Sequence, residues 1–285
     1  MVNFLISLSP LVFTLAITGT TVLIAISGLL LVRKYLPLFF IVTEDTTVAN
    51  IFIRQISTLL AVLLAFVVIS IWRNYEEQRE NTGKEASSLG NLYRDSRGLK
   101  PEAEIEIQQL ITKYTRDVVY DGWPAMLQGR ESRIAWLSFN QLYGKVVRYS
   151  PENAREEIVY AHLVDEMNDL AMYRRLRMIR NANPFMPDVL WAVIYIGSLL
   201  VIVTGYFLKI SNKKVHLLLT TINSVMLGLI FSVMLLLNFP YRGSLQISVY
   251  PLENLLKDVY PMAKITDATL PLDTLDPFRK YELIR

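Results

Sequence analysis

The chain has no cysteine and only two histidines, His162 and His216, in different regions of its 285 residues. The first absence excludes disulfides, thiolate nucleophiles, iron–sulfur clusters and cysteine-based zinc sites. The second leaves little for acid–base or metal chemistry. No G-x-S-x-G, H-E-x-x-H, Walker or G-x-G-x-x-G pattern occurs, so the chain reads as a non-enzyme with no cofactor and no metal. Charge is also scarce. Asp, Glu, Lys and Arg make up 19% of residues, against about 25% in a soluble domain. The net charge of +3 is too mild to imply nucleic acid.

What is abundant is apolar sequence, 52% of residues, with a mean hydropathy of +0.32. Four runs are long enough to cross a bilayer core, which takes about 20 residues. They are Pro10–Val32, the 18 uncharged residues Gln55–Trp72, the 20 between Asp188 and Lys209, and the run after Lys214 up to Tyr241. The first is too long for a signal-peptide core and has no basic residue before it, so a retained span is expected. Trp72, Tyr75, Trp191, Tyr195, Tyr206, Phe239 and Tyr241 lie near span ends, as interfacial aromatics do.

Four spans put both termini and the segment between spans 2 and 3 on one side. That segment is unlike the rest, with 35 charges in residues 73–188, 17 basic and 18 acidic. The expected organisation is all-α: membrane helices 1 and 2 in residues 1–73, a helical extramembrane domain in 74–187, membrane helices 3 and 4 in 188–241, and a tail in 242–285. Span 2 has no Pro beyond it up to Arg97, so it should continue as one long helix. Pro101 starts a second helix along Ile105, Ile107, Leu110, Ile111, Tyr114 and Val118, which Asp121-Gly122-Trp123-Pro124 should break. Ile134, Leu137, Leu142 and Val146 mark a third. A fourth, through Arg180, should open at Ser150-Pro151 and bury Ile158, Ala161, Leu163, Val164, Met167, Leu170 and Ala171. Glu76, Glu77, Glu80 and Glu85 read as a solvated face, and His162 as a surface residue. In the tail, Leu252–Val259 is a helix candidate, followed by a Pro-rich stretch expected to be partly disordered. Near the spans, eight basic residues on the insert side oppose five or six on the other, which points to a cytoplasmic insert and cytoplasmic termini.

No Asp or Glu lies within any span core. Proton relays and carboxylate cation sites usually bury such a group, so an uncharged path fits a passive channel, and an anion channel best. On span 2 the candidate lining is Arg54, Ser57, Thr58, Ala61, Ala65 and Val68, with Arg54 at the mouth to attract anions. Thr14, Thr18 and Thr21 on span 1 form a second stripe, either lining or packing. Ser224, Gly228 and Ser232 on span 4 recur every fourth residue, as helix-packing positions do, and Asn223 beside them suits an interhelical hydrogen bond. Four spans cannot enclose a pore alone, so this reading demands an oligomer. The alternative is a non-conducting scaffold or sensor whose helical insert binds a partner.

From span 2 onward the chain resembles a bestrophin-like membrane family of bacteria and plants. The resemblance is carried by Leu63-Leu64-Ala65-Phe66-Val67-Val68, Trp72-Arg73-Asn74-Tyr75, Glu85-Ala86, Leu92-Tyr93, Gly122-Trp123-Pro124, and Asn238-Phe239-Pro240-Tyr241-Arg242-Gly243 followed by Ile247-Ser248. It implies a relation to bestrophins, pentameric anion channels whose second span lines the pore. It therefore implies a homo-oligomer in a bacterial inner or plasma membrane, with the lipid bilayer, other copies and small anions as partners. Two departures stand out. Span 2 has a single core aromatic, Phe66, and only Glu253 and Asp258 follow span 4 closely, so calcium gating is not carried over.

Overall fold

The computed structural model describes residues 8–35, 46–208, 210 and 212–257, with the backbone alone for 46–50. The helices are α1 (Pro10–Tyr35), α2 (Thr46–Asp95), α3 (Pro101–Asp117), α4 (Trp123–Leu127), α5 (Arg133–Val147), α6 (Ala154–Ala182), α7 (Asp188–Tyr206) and α8 (Lys213–Leu237). Residues 250–257 are also helical, and the Pro-rich tail beyond lies outside the described residues. The described residues contain no strand, and four helices are long and apolar enough to span a membrane. The protein is thus an all-α polytopic membrane protein.

Two compact units divide the chain. Among the described residues, one runs up to Asn81 and adds Met126–Arg130 and Leu176–Ile247; the other comprises Thr82–Ala125, Glu131–Arg175 and the stretch from Ser248. The 50-residue helix α2 runs unbroken through the boundary at Asn81, as its lack of proline permits.

In the first unit, Leu60, Leu64, Val67 and Ile71 of α2 pack with Ala25 and Leu29 of α1, Ile194 of α7, and Leu227 and Met234 of α8. Helices in lipid associate by close packing, because the bilayer is as apolar as their side chains. The tightest approach joins α1 to α8. A Cβ placed on Gly228 would come within 2.7 Å of the Thr18 Cα, so only glycine lets the two backbones meet there. Beside it, Ser224 and Ser232 are fully buried and turn their hydroxyls back onto Thr220 O and Leu229 O.

In the second unit, Ile107, Ile111, Tyr114 and Val118 face inward, while Ile105 stays 42% exposed. The Tyr114 ring lies 5.6 Å from that of Phe139, and the Arg174 guanidinium sits 4.6 Å over Phe139. Several expectations are corrected. Asp121-Gly122-Trp123-Pro124 does not break the helix. Residues Val118–Gly122 form a π-turn, with Trp123 N–H donating to Val118 O, and α4 follows directly. The wider turn absorbs the missing N–H of Pro124, and the chain turns only at Gly129, where φ is +72°. On α5, Leu142 and Val146 are buried but Ile134 and Leu137 are exposed. On α6, Leu163, Met167 and Leu170 are buried whereas Ile158 and Ala161 are exposed. Glu85 is not solvated: it is fully buried and accepts the Tyr114 hydroxyl at 3.0 Å.

Helix α6 also starts later than Ser150-Pro151 suggests. Asn153 caps it, its Oδ1 accepting from Glu156 N–H at 2.9 Å. The Glu156 carboxylate in turn accepts from Glu152 N–H, the Tyr149 hydroxyl and the Asn153 amide. The arrangement resembles a capping box, except that the N–H returned to the Glu156 carboxylate is that of Glu152, one residue before the cap.

Two measurements follow. Gly228→Ala should lower the unfolding stability of the detergent-purified protein by about 1–3 kcal/mol through overpacking, while Gly19→Ala, with nothing within 4 Å, should change it little. Asn153→Ala should cost about 1 kcal/mol in the same assay. The cap also has a pH signature. The Glu152 N–H first, then the Tyr149 hydroxyl and the Asn153 amide, hold the Glu156 carboxyl below its usual range. Its stabilisation is therefore complete above the ordinary carboxylate pKa and lost as pH falls through the depressed value. The stability gap between wild type and Glu156→Gln should close in that acidic window.

Candidate functional site

Helix α2 is buried on one side only. Leu60, Leu64, Val67 and Ile71 turn inward, and the opposite face carries Arg54, Thr58, Val62, Ala65, Phe66 and Ile69, all exposed. At 100° per residue, Thr58, Val62, Ala65 and Ile69 centre this face. The six candidate lining residues therefore separate. Arg54, Thr58, Ala61 and Ala65 are exposed, while Ser57 and Val68 are half-buried. Ser57, Ala61, Ala65 and Val68 border a cleft of about 830 Å³ whose other walls come from α7 and α8. Arg54 makes no ion pair among the described residues, and the Thr58 hydroxyl donates to Arg54 O at 2.8 Å. Asn223 is exposed on the cleft wall rather than bonded across helices.

The threonines of α1 lie elsewhere. Thr14, Thr18 and Thr21 are half-buried. Thr18 abuts Gly228 on α8, and the Thr21 hydroxyl donates to Ile17 O at 2.9 Å.

Polar side chains tie the bundle at both ends. At one end, Arg33 donates to Ile210 O at 2.8 Å and to His216 Nδ1 at 2.9 Å. A guanidinium has no acceptor, so His216 Nδ1 must accept, which leaves Nε2–H to donate to Gly205 O at 3.1 Å. His216 is thus held as the neutral Nε2–H tautomer. Nearby, the Tyr206 hydroxyl donates to Ala25 O at 2.7 Å, with its ring over Gly28.

At the other end, the Asn238-Phe239-Pro240-Tyr241-Arg242-Gly243 segment turns beneath the bundle. Asn238 Oδ1 accepts Met186 N–H at 2.9 Å, and the Tyr241 hydroxyl donates to Gln78 O at 3.3 Å. Tyr75 donates to Leu245 O at 3.1 Å. Arg242 stacks 5.5 Å over Phe239 and donates to Asn181 O; burial draws its pKa below the usual arginine range, without discharging it. The fully covered Arg177 points Nη1 at Met126 Sδ, 3.0 Å away.

Tyr206 and Tyr241 are therefore not interfacial aromatics, being 4% and 0% exposed, unlike Trp72 and Tyr195. Sequence reading missed the Arg33–His216 pair, although a histidine inside an apolar run, where unpaired polar groups are costly, was a usable signal. Arg177 and Asn181 continue the Leu163, Met167 and Leu170 stripe of α6 at helical spacing, a signal obscured because both side chains are polar.

The bestrophin-like domain family matches residues 19–252. Among solved structures, a point variant of a bacterial bestrophin homologue from Klebsiella pneumoniae superposes with a TM-score of 0.63 at 13% identity, covering 90% of this chain and 99% of its own. A crystal structure described only as a membrane protein gives 0.64 at 14% identity, covering 88% and 98%. These likenesses establish the fold. No curated protein matches the sequence. With four membrane-length helices arranged as in those structures and a family match over most of its length, the chain belongs to the bestrophin-like family.

Proposed function

We propose that the chain assembles as a homo-oligomer, a pentamer by family resemblance, and passes small anions passively along an axis lined by α2. The supporting observation is the exposed face of α2, which bears no charge from Gln55 to Trp72. A span packed on one side only has its other face available to neighbours or to a shared lumen. Thr58, Ala61 and Ala65 set small side chains among Val62, Phe66 and Ile69 on that face, and Arg54, with no ion pair among the described residues, stands at its start to concentrate anions. Ser57 and Val68 border its flank. The absence of Asp and Glu from all four spans removes the groups that would repel an anion or bind a coupling proton. Nothing in this reading asks for catalysis, a cofactor or a metal. The excess of Arg and Lys beside the spans on the insert side favours an extramembrane domain, residues 74–187, and both termini in the cytoplasm.

Purified protein in chloride-loaded liposomes should give anion efflux that Ala65→Trp blocks. Arg54→Glu should slow it about tenfold by reversing the charge at the mouth. A monomeric protein, or no flux at any potential, pH or calcium level, would end this reading and leave the scaffold alternative.

A further inference from the structure

Helix α5 contains no acidic residue, and its outer side is apolar where a solvated helix would be charged. Ala135, Phe139, Leu142 and Val146 are its buried side. At 100° per residue the opposite arc carries Trp136, Leu137, Tyr143 and Val147, all exposed, between Arg133 and Arg148. Apolar residues exposed next to one another mark an interaction surface, and Trp and Tyr beside Arg are the composition of one.

A second exposed arc has the opposite charge. On α6, opposite the buried Leu163, Met167 and Leu170, lie Ile158, Ala161 and Met172, all exposed. The charges among them are Glu157, Asp165 and Asp169, all acidic and exposed. The two arcs match in length. Arg133 and Arg148 are about 22 Å apart along the axis and Glu157 and Asp169 about 18 Å, at 1.5 Å per residue. The arcs do not meet within one copy. The Tyr160 hydroxyl donates to Val147 O at 3.2 Å and the Arg174 guanidinium sits over Phe139. These two α6 residues lie about 200° and 160° round from Ile158, so α5 is on the far side of α6 from the acidic arc. The residues beyond Lys257 carry five acidic and four basic side chains, so their charge selects neither arc. We propose that the α5 arc of one copy docks on the α6 arc of the next, a head-to-tail contact between second units that repeats round a ring. The inference rests on the homo-oligomer proposed above, and not on conduction.

The chain has no cysteine, so a bismaleimide cross-linker reports only introduced ones. In the full-length, detergent-purified protein, Asn140→Cys combined with Ala161→Cys should give a ladder of cross-linked species that ends at the subunit number. Either change alone, both being at exposed positions, should give none. Arg133→Asp with Arg148→Asp should reduce the ladder at least about fivefold, and adding Asp165→Arg with Asp169→Arg should restore it, as directly coupled charges require. Should the charge variants fail to fold, the cysteine pair decides. A dimer from Asn140→Cys alone would overturn the proposal, because the arc would then face its own copy across a two-fold axis. A ladder that the two aspartates leave undiminished would overturn it as well. An assembly of full mass with no ladder overturns this contact alone and leaves the α5 arc to a membrane surface or a different protein. A monomer overturns the oligomer reading with it. A ladder from protein that passes no anion supports the contact and ends only the channel reading.

Discussion

In lipid a helix gains almost nothing by turning one apolar face toward another helix, and the membrane unit of this protein is built around that constraint. Its cohesion comes instead from close backbone approach and a few hydrogen bonds with no competing water. Gly228 lets α8 meet Thr18 of α1 at backbone distance. Tyr206 reaches across to Ala25 O, and Arg33 is shared by His216 and Ile210 O. These contacts all involve α1, α7 and α8. The Arg33–His216–Gly205 chain ties three span ends together, which a plain apolar contact could not do.

Helix α2 stands apart in that scheme. Its inward stripe joins the core, but it contributes no small-residue crossing of the Gly228 kind, and half of its surface remains open. It is also the helix that continues past the span into the second unit, where Glu85 is buried against Tyr114. One helix therefore carries both an exposed uncharged face and a buried polar stretch.

The second unit follows the ordinary rules of soluble helical proteins. Phe139 gathers Tyr114 and Arg174 around it, and Asn153 with Glu156 closes the start of α6. Its surface is less ordinary. Ile158 was assigned to the interior by periodicity, yet it is exposed, as are Ile134 and Leu137. Periodicity locates an apolar face without saying whether the fold has a partner for it, and in an oligomer that partner can belong to another copy.

Hydropathy and charge alone determined the class of this protein. Four uncharged runs of about 20 residues can be satisfied only as membrane helices, and a stretch with 35 charges in 116 residues cannot enter the bilayer. The same reasoning located α2 as one long helix, because no proline interrupts it. What the sequence could not decide was which polar residue faces which partner. Tyr206 and Tyr241 look like interfacial aromatics by position, and only the packing of α7 on α1, and of the 238–247 turn beneath the bundle, turns them inward. Asp121-Gly122-Trp123-Pro124 looks like a break, and only the π-turn shows how a ladder can pass a proline. The candidate stripe on α2 likewise shares one helical face by spacing, but the arrival of α7 and α8 along one flank separates Ser57 and Val68 from Thr58 and Arg54. Such outcomes depend on the distance between elements remote in the chain, which no local pattern encodes.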